Sequence, residues 1–300
     1  MRVLVTGAGG YVGAAVVVAL RAAGHEPVAM THRDADVVPG GVQVRRADLT
    51  EPGTLPAAVR GVDAVCHLAG LTRARESWDR PLDYFAVNAG GTVALLRAMR
   101  DAGVGRLVFA STASVYGTPD TQPMTEDLPD DPPHPYAASK VAAEAAIRWS
   151  GLPAAALRLF NAAGGPDPDP TRIVPRVLAA AAGETPALAV NGDGSAVRDY
   201  LHVADAAEAF VAALRHEGPG LRLFNIGSGA GASVLDVVAA AERVTGRAIA
   251  LTHNPPAAEP AALVCDPTRA RDELGWAPRR SALDDIVRDA WTARAPGARA

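Results

Sequence analysis

Apolar and polar residues alternate along the first half of the chain in segments of strand-like and helix-like spacing. Residues 2–6 are a short aliphatic and β-branched run, typical of a buried parallel strand, and residues 11–23 have the apolar content of a helix. The pattern predicts further strands at 27–31, 42–46, 63–68, 105–110 and 154–159, and helices at 54–60, 81–101 and 136–150. This strand–helix alternation indicates an α/β fold with a doubly wound parallel sheet.

Three glycines spaced three residues apart, Gly7, Gly10 and Gly13, separate the first predicted strand from the first helix. A turn of such small residues lets backbone N–H groups approach a pyrophosphate, and the following helix offers its positive N-terminal end. A structural turn without a ligand is the alternative. Ligands of doubly wound sheets bind beyond the carboxyl ends of the strands. The segments that should converge at that edge include Gly7, Asp48, 67–70, 111–114 and Asn161.

The composition and the hydrophobic pattern of the sequence change after residue 164. Residues 164–170 are glycines, prolines and aspartates, which favour a loop. Beyond that loop the pattern predicts helices at 173–182, 203–215, 233–245, 268–274 and 281–293, and strands at 187–190, 222–226 and 248–252. We therefore expect a dinucleotide-binding domain over residues 1–164, to which residues 198–226 return, and a smaller C-terminal α/β substrate domain formed mainly by residues 165–300.

Composition narrows the range of partners. The 300 residues are 49% hydrophobic and can bury a large core, and a formal charge of −4 gives no reason to expect nucleic acid or an anionic membrane as a partner. Cys66 and Cys265 stand far apart, and no His, Asp or Glu cluster has zinc-site spacing, so no metal is expected. Because neither a targeting segment nor a long apolar stretch is evident, we expect a soluble, cytoplasmic protein.

Tyr136 and Lys140 are the candidate chemical groups. They lie four residues apart on a predicted helix, so their side chains share one face. A phenol with its ordinary pKa of about 10 is a poor base at neutral pH, and a neighbouring ammonium together with an oxidised nicotinamide ring would lower that pKa. For the spacing alone, a packed tyrosine beside a solvated lysine is the alternative.

The chain resembles the extended short-chain dehydrogenase/reductase family, particularly its nucleotide-sugar epimerases of the UDP-glucose 4-epimerase type. The resemblance covers nearly the whole chain. It rests on the glycine motif, on the Tyr-x-x-x-Lys pair, and on the segments 67–70, 76–84, 88–92, 109–117, 157–161, 198–205 and 225–227. It implies a Rossmann doubly wound sheet, a nicotinamide cofactor, NAD(P), and a nucleoside-diphosphate sugar as small-molecule substrate.

The resemblance also implies roles for single residues. Thr112 would hydrogen-bond the reacting sugar oxygen, Tyr136 would be the acid/base, and Lys140 would bind the nicotinamide ribose and tune Tyr136. The substrate-binding set would be Thr112, Ser114, Asn161 and Arg198. The cofactor-binding set would be Gly7, Gly10, Tyr11, Val12, Gly13, Thr31, Arg33, Asp48, Leu49, Leu68, Ala69 and Gly70, together with Tyr136 and Lys140.

For three residues a structural role is either the alternative or the expectation. An ion pair with a nearby aspartate is the alternative for Arg198. His67 and His202 are expected to be structural, since the family pattern gives the proton transfer to Tyr136.

The chain departs from the family pattern at three places. The second predicted strand ends at Thr31, where NAD-preferring relatives carry aspartate, and Arg33 could pair with a 2′-phosphate, which gives a slight preference for NADP over NAD. Ala113 stands where dehydratase relatives carry an acid, so a 4,6-dehydratase is not expected. Residues 255–260 include no basic residue where relatives that bind a nucleoside diphosphate present an arginine. Either Arg198 and backbone donors suffice to bind the diphosphate, or the substrate carries less negative charge than a nucleotide sugar.

Two enzymatic functions stay open. The leading one is a nucleotide-sugar 4-epimerase, which oxidises C4 transiently with a bound cofactor, forms a 4-keto intermediate and returns the hydride. The alternative is an NADP-dependent ketoreductase or dehydrogenase acting on a nucleotide sugar or a natural-product intermediate. A non-catalytic dinucleotide-binding protein is a third hypothesis, which the presence of Thr112, Tyr136 and Lys140 argues against.

A homodimer is the expected assembly, because family relatives pair the helices that correspond to 81–101 and 136–150 into a four-helix bundle. The apolar residues on these helices beyond the needs of one core face are Val93, Leu95, Leu96, Met99, Val141, Ala142, Ala145 and Ile147.

Overall fold

The computed structural model describes residues 1–33, 37–257 and 260–294. The strands are β1 (Arg2–Thr6), β2 (Glu26–Thr31), β3 (Gln43–Arg46), β4 (Ala64–His67), β5 (Leu107–Thr112), β6 (Ala154–Leu159), β7 (Asn161–Ala163), β8 (Leu188–Asn191), β9 (Val197–His202), β10 (Leu221–Ile226), β11 (Gly231–Ser233), β12 (Leu251–Asn254) and β13 (Ala262–Leu263). The α-helices are α1 (Tyr11–Ala22), α2 (Leu55–Val59), α3 (Pro81–Tyr84), α4 (Gly91–Asp101), α5 (Pro135–Ser150), α6 (Ile173–Ala181), α7 (Val203–Ala213), α8 (Val234–Thr245), α9 (Thr268–Leu274) and α10 (Leu283–Ala293).

The main sheet has seven parallel strands in the order β10-β6-β5-β4-β1-β2-β3. Chain order therefore runs outward in both directions from β1 and β4. The carboxyl ends of this central pair mark the point where a doubly wound sheet binds its ligand. The predicted Rossmann fold is confirmed.

Helices cover both faces of the main sheet. On one face α1 and α7 contribute Val16, Leu20 and Phe210 to a core that includes Val3 and Val5. On the other face α2, α4 and α5 contribute a second core whose buried members include Leu55, Leu95 and Ile147. Because both faces are covered, the central strands can be continuous apolar runs, which is the pattern that predicted them.

The second half of the chain builds a smaller layer beside the main sheet. Strand β9 pairs with β7, β11 and β13, while β8 pairs with β12. A third core lies between α6, α8 and α10, with Val177, Val237 and Ile286 at its centre. Within residues 198–226, α7 packs on α1 and β10 joins the main sheet, whereas β9 lies in the smaller one.

The structure differs from the predicted elements at several places: β7, β9, β11 and β13 were not predicted, and β12 begins at Leu251, three residues after the start of the strand predicted at 248–252. Residues 197–202 form β9, which the hydrophobic pattern did not indicate because Arg198 and Asp199 interrupt it. The predicted helix over 81–101 consists of α3, a π-helical segment over Phe85–Gly90, and α4. The π-helical segment contains Asn88, whose side chain bonds the backbone of Leu71, so a tertiary contact accompanies the change in helical winding.

Four of the eight apolar residues expected at a dimer interface serve this chain's own core instead. They are buried in the second core: Leu95, Leu96, Met99 and Ile147. The large apolar side chains that the same region exposes are Trp78, Leu82, Phe85 and Trp149.

Over the described residues, no helix combines the length and apolarity that crossing a bilayer requires. The same residues contain no group of three or more His, Cys, Asp or Glu side chains placed to hold a metal ion.

Candidate active site

A cavity of about 950 Å³ lies between the carboxyl edge of the main sheet and the layer formed by α6, β8 and β9. All the predicted site residues line this cavity except Ser114. The backbone N–H of Ser114 instead donates to Thr112 Oγ1 at 3.2 Å, which holds the Thr112 side chain in place. The expected convergence of strand ends on one edge is therefore present in the structure.

The glycine turn between β1 and α1 requires glycine for two different reasons. Gly7 has a φ of +68°, and a β-carbon there would lie 2.8 Å from the Ala69 nitrogen. At Gly13 a β-carbon would lie 2.0 Å from the Gly7 oxygen, so only glycine lets α1 approach β1 this closely. This open backbone cradle at a helix N-terminus fits the pyrophosphate of a dinucleotide.

A buried hydrogen-bond chain fixes the loop after β4, which forms the next wall of the cavity. Thr6 Oγ1 accepts the backbone N–H groups of Leu68 and Ala69, each at 3.0 Å, and lies 2.7 Å from His67 Nδ1. With both acceptor positions used, the Thr6 hydroxyl donates to Nδ1, and the Nε2–H of His67 donates to Thr92 Oγ1 at 3.0 Å. Burial lowers the pKa of His67 to about 3. The imidazole is thus a neutral structural group.

Asn88 ties the same loop to α5. Its Oδ1 accepts the N–H of Leu71 at 2.8 Å, and its Nδ2 donates to the Leu71 oxygen at 3.0 Å and to Ser139 Oγ at 2.9 Å. Ser139 immediately precedes Lys140, so this side chain links the cavity wall to the helix that carries the candidate acid/base.

Thr112, Tyr136 and Lys140 meet on one side of the cavity. Thr112 ends β5, while Tyr136 lies in the first turn of α5, and the Thr112 hydroxyl lies near enough to affect the pKa of the Tyr136 phenol. Lys140 Nζ donates to the Ala110 oxygen at 2.9 Å and lies 4.7 Å from the centre of the Phe109 ring. The backbone carbonyl and the aromatic face hold the ammonium at a fixed point of the wall.

Burial has the largest effect on the pKa values of Tyr136 and Lys140. It raises the pKa of Tyr136, whereas the nearby Thr112 hydroxyl and the positive charge of Arg172 act to lower it. Burial also lowers the pKa of Lys140 to about 8, against the opposing effect of Glu144. Without a bound dinucleotide, burial therefore favours the neutral phenol of Tyr136, and the phenolate expected beside an oxidised nicotinamide stays a prediction.

The sequence did not single out Glu144, which lies one turn beyond Lys140 on the same face of α5. Its carboxylate accepts a hydrogen bond from Ser111 Oγ and two from Arg158, with Arg158 Nη2 at 2.6 Å from Oε2. Both members of this ion pair are buried, and the pKa of Arg158 is raised by Glu144 despite its burial. The pair fixes α5 against β5 and β6. The repeat of Tyr136, Lys140 and Glu144 at four-residue spacing was the available signal.

The loop over residues 164–172, here called the strap, crosses the cavity close to the glycine turn. Tyr11 donates its hydroxyl hydrogen to the Gly164 oxygen. The guanidinium of Arg172 lies 5.3 Å from the centre of the Tyr11 ring and 3.3 Å from the carboxylate of Asp167. The sequence predicted a loop here but not these contacts, because glycine- and proline-rich segments give no periodic signal.

Arg198 and Asn161 lie on the far side of the cavity, on β9 and β7. Asn161 Nδ2 donates to the Asp199 oxygen at 3.2 Å, and Arg198 Nη1 donates to the oxygens of Val197 at 2.7 Å and Pro260 at 2.9 Å. Residues 258–259 of the predicted non-basic loop lie outside the described residues.

The neighbouring Asp199 has a structural role. Its buried carboxylate accepts backbone N–H groups from Ser228 at 2.7 Å, Gly229 at 2.9 Å and Cys265 at 3.2 Å. His202 is structural as well, since its Nδ1 caps α7 by accepting the N–H of Ala204 and its Nε2 lies 3.1 Å from Asp289.

The opposite end of the cavity is formed by the end of β2 and the loop after β3. Thr31 is buried, Arg33 is exposed, and both line the cavity together with Asp48 and Leu49. The carboxylate of Asp48 accepts the N–H and hydroxyl of Thr50 at 2.8 and 2.7 Å, and the first of these bonds lowers the pKa of Asp48.

The charge of the cavity wall is opposite to that of the whole chain. Among the residues that the structure describes, six cationic side chains line it, against the two carboxylates of Asp48 and Asp167, although the chain carries a formal charge of −4. The cationic side chains are Arg33, Arg75, Lys140, Arg172, Arg176 and Arg198. A cavity of this charge attracts anionic ligands such as phosphates.

Comparison with known proteins agrees with this geometry. The sequence profile of the NAD dependent epimerase/dehydratase family matches residues 3–227. A UDP-glucose 4-epimerase of Azospirillum brasilense is 39% identical over 315 residues, with 96% of this chain and 90% of that protein covered.

Two solved structures have the same fold over nearly the full chain. The UDP-glucose-4-epimerase of Stenotrophomonas maltophila, with bound NAD and formylated UDP-arabinopyranose, has a TM-score of 0.91 at 34% identity, covering 98% of this chain and 97% of that one. The UDP-glucose 4-epimerase of Bifidobacterium longum, in complex with NAD+ and UDP, has a TM-score of 0.89 at 29% identity, covering 98% of each chain.

The family profile, the full-length relatives and the arrangement of the cavity agree. The chain belongs to the NAD dependent epimerase/dehydratase family, within which it is an NAD(P)-binding epimerase of the nucleotide-sugar 4-epimerase type.

Proposed function

We propose that this epimerase interconverts the C4 epimers UDP-glucose and UDP-galactose with NAD retained in the cavity. One observation carries the proposal: the glycine turn, the group of Thr112, Tyr136 and Lys140, and the pair of Asn161 and Arg198 all open into a single cavity. A dinucleotide and a nucleotide sugar can thus meet at one reaction centre. The proposed division of labour gives the dinucleotide mainly to residues 1–164 and the nucleotide sugar mainly to residues 165–300.

The proposed mechanism assigns a proton to Tyr136. Bound NAD supplies the acceptor and donor of the C4 hydride. Tyr136 takes the proton from the 4-hydroxyl and returns it at the end of the cycle, while Thr112 donates a hydrogen bond to the same oxygen. Lys140, held by the Ala110 oxygen, contributes a positive charge that favours the phenolate during proton transfer. Asn161 and Arg198 hold the nucleotide so that the 4-keto sugar can turn within the site.

The choice of NAD over NADP rests on the relatives. Thr31 and Arg33 gave a slight preference for NADP, but the two solved relatives hold NAD. Arg33 is exposed at the cavity rim, which is compatible with either dinucleotide.

Two measurements test the proposed function. Denaturing the protein purified without added cofactor should release stoichiometric NAD; release of NADP would overturn the cofactor assignment and give Arg33 its role. Incubation with UDP-galactose should yield UDP-glucose without net formation of NADH, and NMR measures this conversion. Stoichiometric consumption of NADPH with a keto substrate would contradict the epimerase and support a ketoreductase.

The proposed assembly is a homodimer formed through the region of α3 and α5. Four large apolar side chains are exposed there: Trp78, Leu82, Phe85 and Trp149. The elements that carry them pack against each other, so a second copy could cover them together.

A further inference from the structure

Two arginines at the start of α6 line the cavity four residues apart, Arg172 at the N-cap and Arg176 within the helix, and they differ in how their charge is balanced. Arg172 pairs with Asp167 at 3.3 Å and lies 3.9 Å from Asp169. Arg176 is half-buried, and its Nη2 donates to the backbone oxygen of Ala189 in β8. Within residues 1–33, 37–257 and 260–294, no carboxylate pairs with Arg176.

A half-buried guanidinium at a cavity wall can exchange water for the oxygen acceptors of a ligand. The bond to the Ala189 oxygen fixes one edge of the planar Arg176 fork. The remaining N–H groups of such a fork keep a set direction, which suits a flat ligand with oxygen acceptors.

The wall around Arg176 suits a base more than a phosphate. Arg176 contacts β8 through Ala189, and the cavity lining contributed by β8 is Ala189, Val190 and Asn191, two apolar side chains and one amide whose Oδ1 accepts from Asn254 at 3.3 Å. The groups that suit a phosphate, Arg198 and Asn161, lie on the adjoining strands β9 and β7. A nucleotide whose phosphates contact those two strands would extend its base toward β8 and Arg176.

We propose that Arg176 determines the nucleobase specificity of this epimerase by donating N–H groups to the carbonyl oxygen at C4 of uracil, with the Asn191 amide as a second contact. The proposal rests on the proposed function, because the ligand is the nucleotide part of that substrate. Uracil and thymine carry a carbonyl oxygen at C4, where cytosine carries an amino group that only donates. Arg176, which is donor-only, therefore favours UDP over CDP.

The test compares the binding of UDP and CDP to the intact chain with its resident cofactor, by isothermal titration calorimetry. The wild type should bind UDP about 10-fold more tightly than CDP, and Arg176→Met should lose most of that ratio by weakening UDP binding alone. Arg176→Lys, which keeps the charge but not the planar fork, should give an intermediate ratio. Arg243→Met, which removes an exposed arginine paired with Asp284, is the matched control and should keep the wild-type ratio.

Each other outcome has a definite meaning. If Arg176→Met weakens UDP and CDP equally, Arg176 is a phosphate or structural residue, and the proposal is wrong while the epimerase assignment stands. An unchanged UDP:CDP ratio overturns it in the same way. If the wild type binds neither nucleotide, the proposed substrate class itself fails. Cofactor content and melting temperature show whether each variant is folded. If Arg176→Met does not fold, the UDP:CDP affinity ratio of Arg176→Lys tests the proposal instead.

Discussion

At the scale of single residues, the environment of Tyr136 controls the proposed chemistry. Burial favours the neutral phenol, and the nearby Thr112 hydroxyl and Arg172 charge oppose it. A phenol balanced in this way can lose its proton when a further positive charge arrives and take one up when that charge is neutralised.

Replacing Tyr136 by phenylalanine removes the proposed acid/base without changing the ring. We expect kcat for epimerisation to fall by about 10²- to 10⁴-fold, with the resident dinucleotide still bound. Tyr116→Phe is the matched control, since Tyr116 is a buried tyrosine outside the cavity whose hydroxyl contacts Asn225. Steady-state kinetics check both variants, and unchanged kcat in Tyr136→Phe would remove Tyr136 from the mechanism.

His67 gives a prediction about stability and pH. Burial lowers its pKa to about 3 in the folded protein, whereas in the unfolded chain the pKa is about 6.5. Between about pH 6.5 and pH 3 the unfolded state therefore binds a proton that the folded state does not. Stability contributed by this residue is therefore present above about pH 6.5 and is lost as the pH falls, by up to about 1.4 kcal/mol per pH unit.

His67→Gln should be less stable near pH 7 but should lose less free energy of unfolding between pH 6.5 and pH 5 than the wild type does. Urea titrations at several pH values measure this slope. Parallel slopes for the two proteins would show that His67 is not the titrating group.

At the scale of elements, the glycine turn and the strap hold the cofactor region from two sides. Gly13 lies so close to Gly7 that an added β-carbon would contact backbone, which cannot move aside as a flexible side chain can. Gly13→Ala should therefore lose resident dinucleotide and cost roughly 1–3 kcal/mol or more of stability. Gly105→Ala, where a β-carbon meets nothing within 4 Å, is the control that should behave as wild type. Thermal melts and the dinucleotide content of the purified proteins provide the readout.

The strap gives a prediction about cofactor retention, which an epimerase needs because the same NAD must return its hydride. Tyr11→Phe removes the hydrogen bond to the Gly164 oxygen but keeps the ring beneath Arg172. We expect dinucleotide dissociation to accelerate by about 3- to 10-fold, measured by exchange with labelled NAD. Tyr116→Phe again serves as control. Equal dissociation rates in all three proteins would show that the strap does not retain the cofactor.

At the scale of the whole molecule, the exposed apolar region around α3 and α5 is the surface of the proposed dimer interface. Leu82 and Trp149 are 79% and 88% exposed in the single chain. We expect a dimer mass for the wild type by light scattering at micromolar concentration, and a shift toward monomer in Leu82→Arg. Val18→Arg, on the exposed side of α1, is the matched control and should stay dimeric. A wild-type monomer would contradict the proposed assembly.

The sequence by itself determined the main sheet and the place of the reaction centre. Parallel strands buried on both faces must be continuous apolar runs, so β1, β2, β5 and β6 were predicted within one or two residues of their ends. Glycine spacing has a partly local cause, because Gly7 has a positive φ and Gly13 lies against the backbone of Gly7, six residues away. The four-residue spacing of Tyr136 and Lys140 likewise places both side chains on one helix face whatever surrounds them.

The tertiary structure alone decided features that depend on residues distant in sequence. Strand β9 pairs with β7, β11 and β13, and its Asp199 carboxylate accepts backbone N–H groups from residues 228, 229 and 265, partners that no local pattern reports. Whether Leu95 faces a core or a partner chain, and whether Tyr136 is a phenol or a phenolate, likewise depends on packing. Burial and long-range hydrogen bonds set these properties, because the energy of an apolar or ionisable side chain depends on its surroundings, which only the complete fold provides.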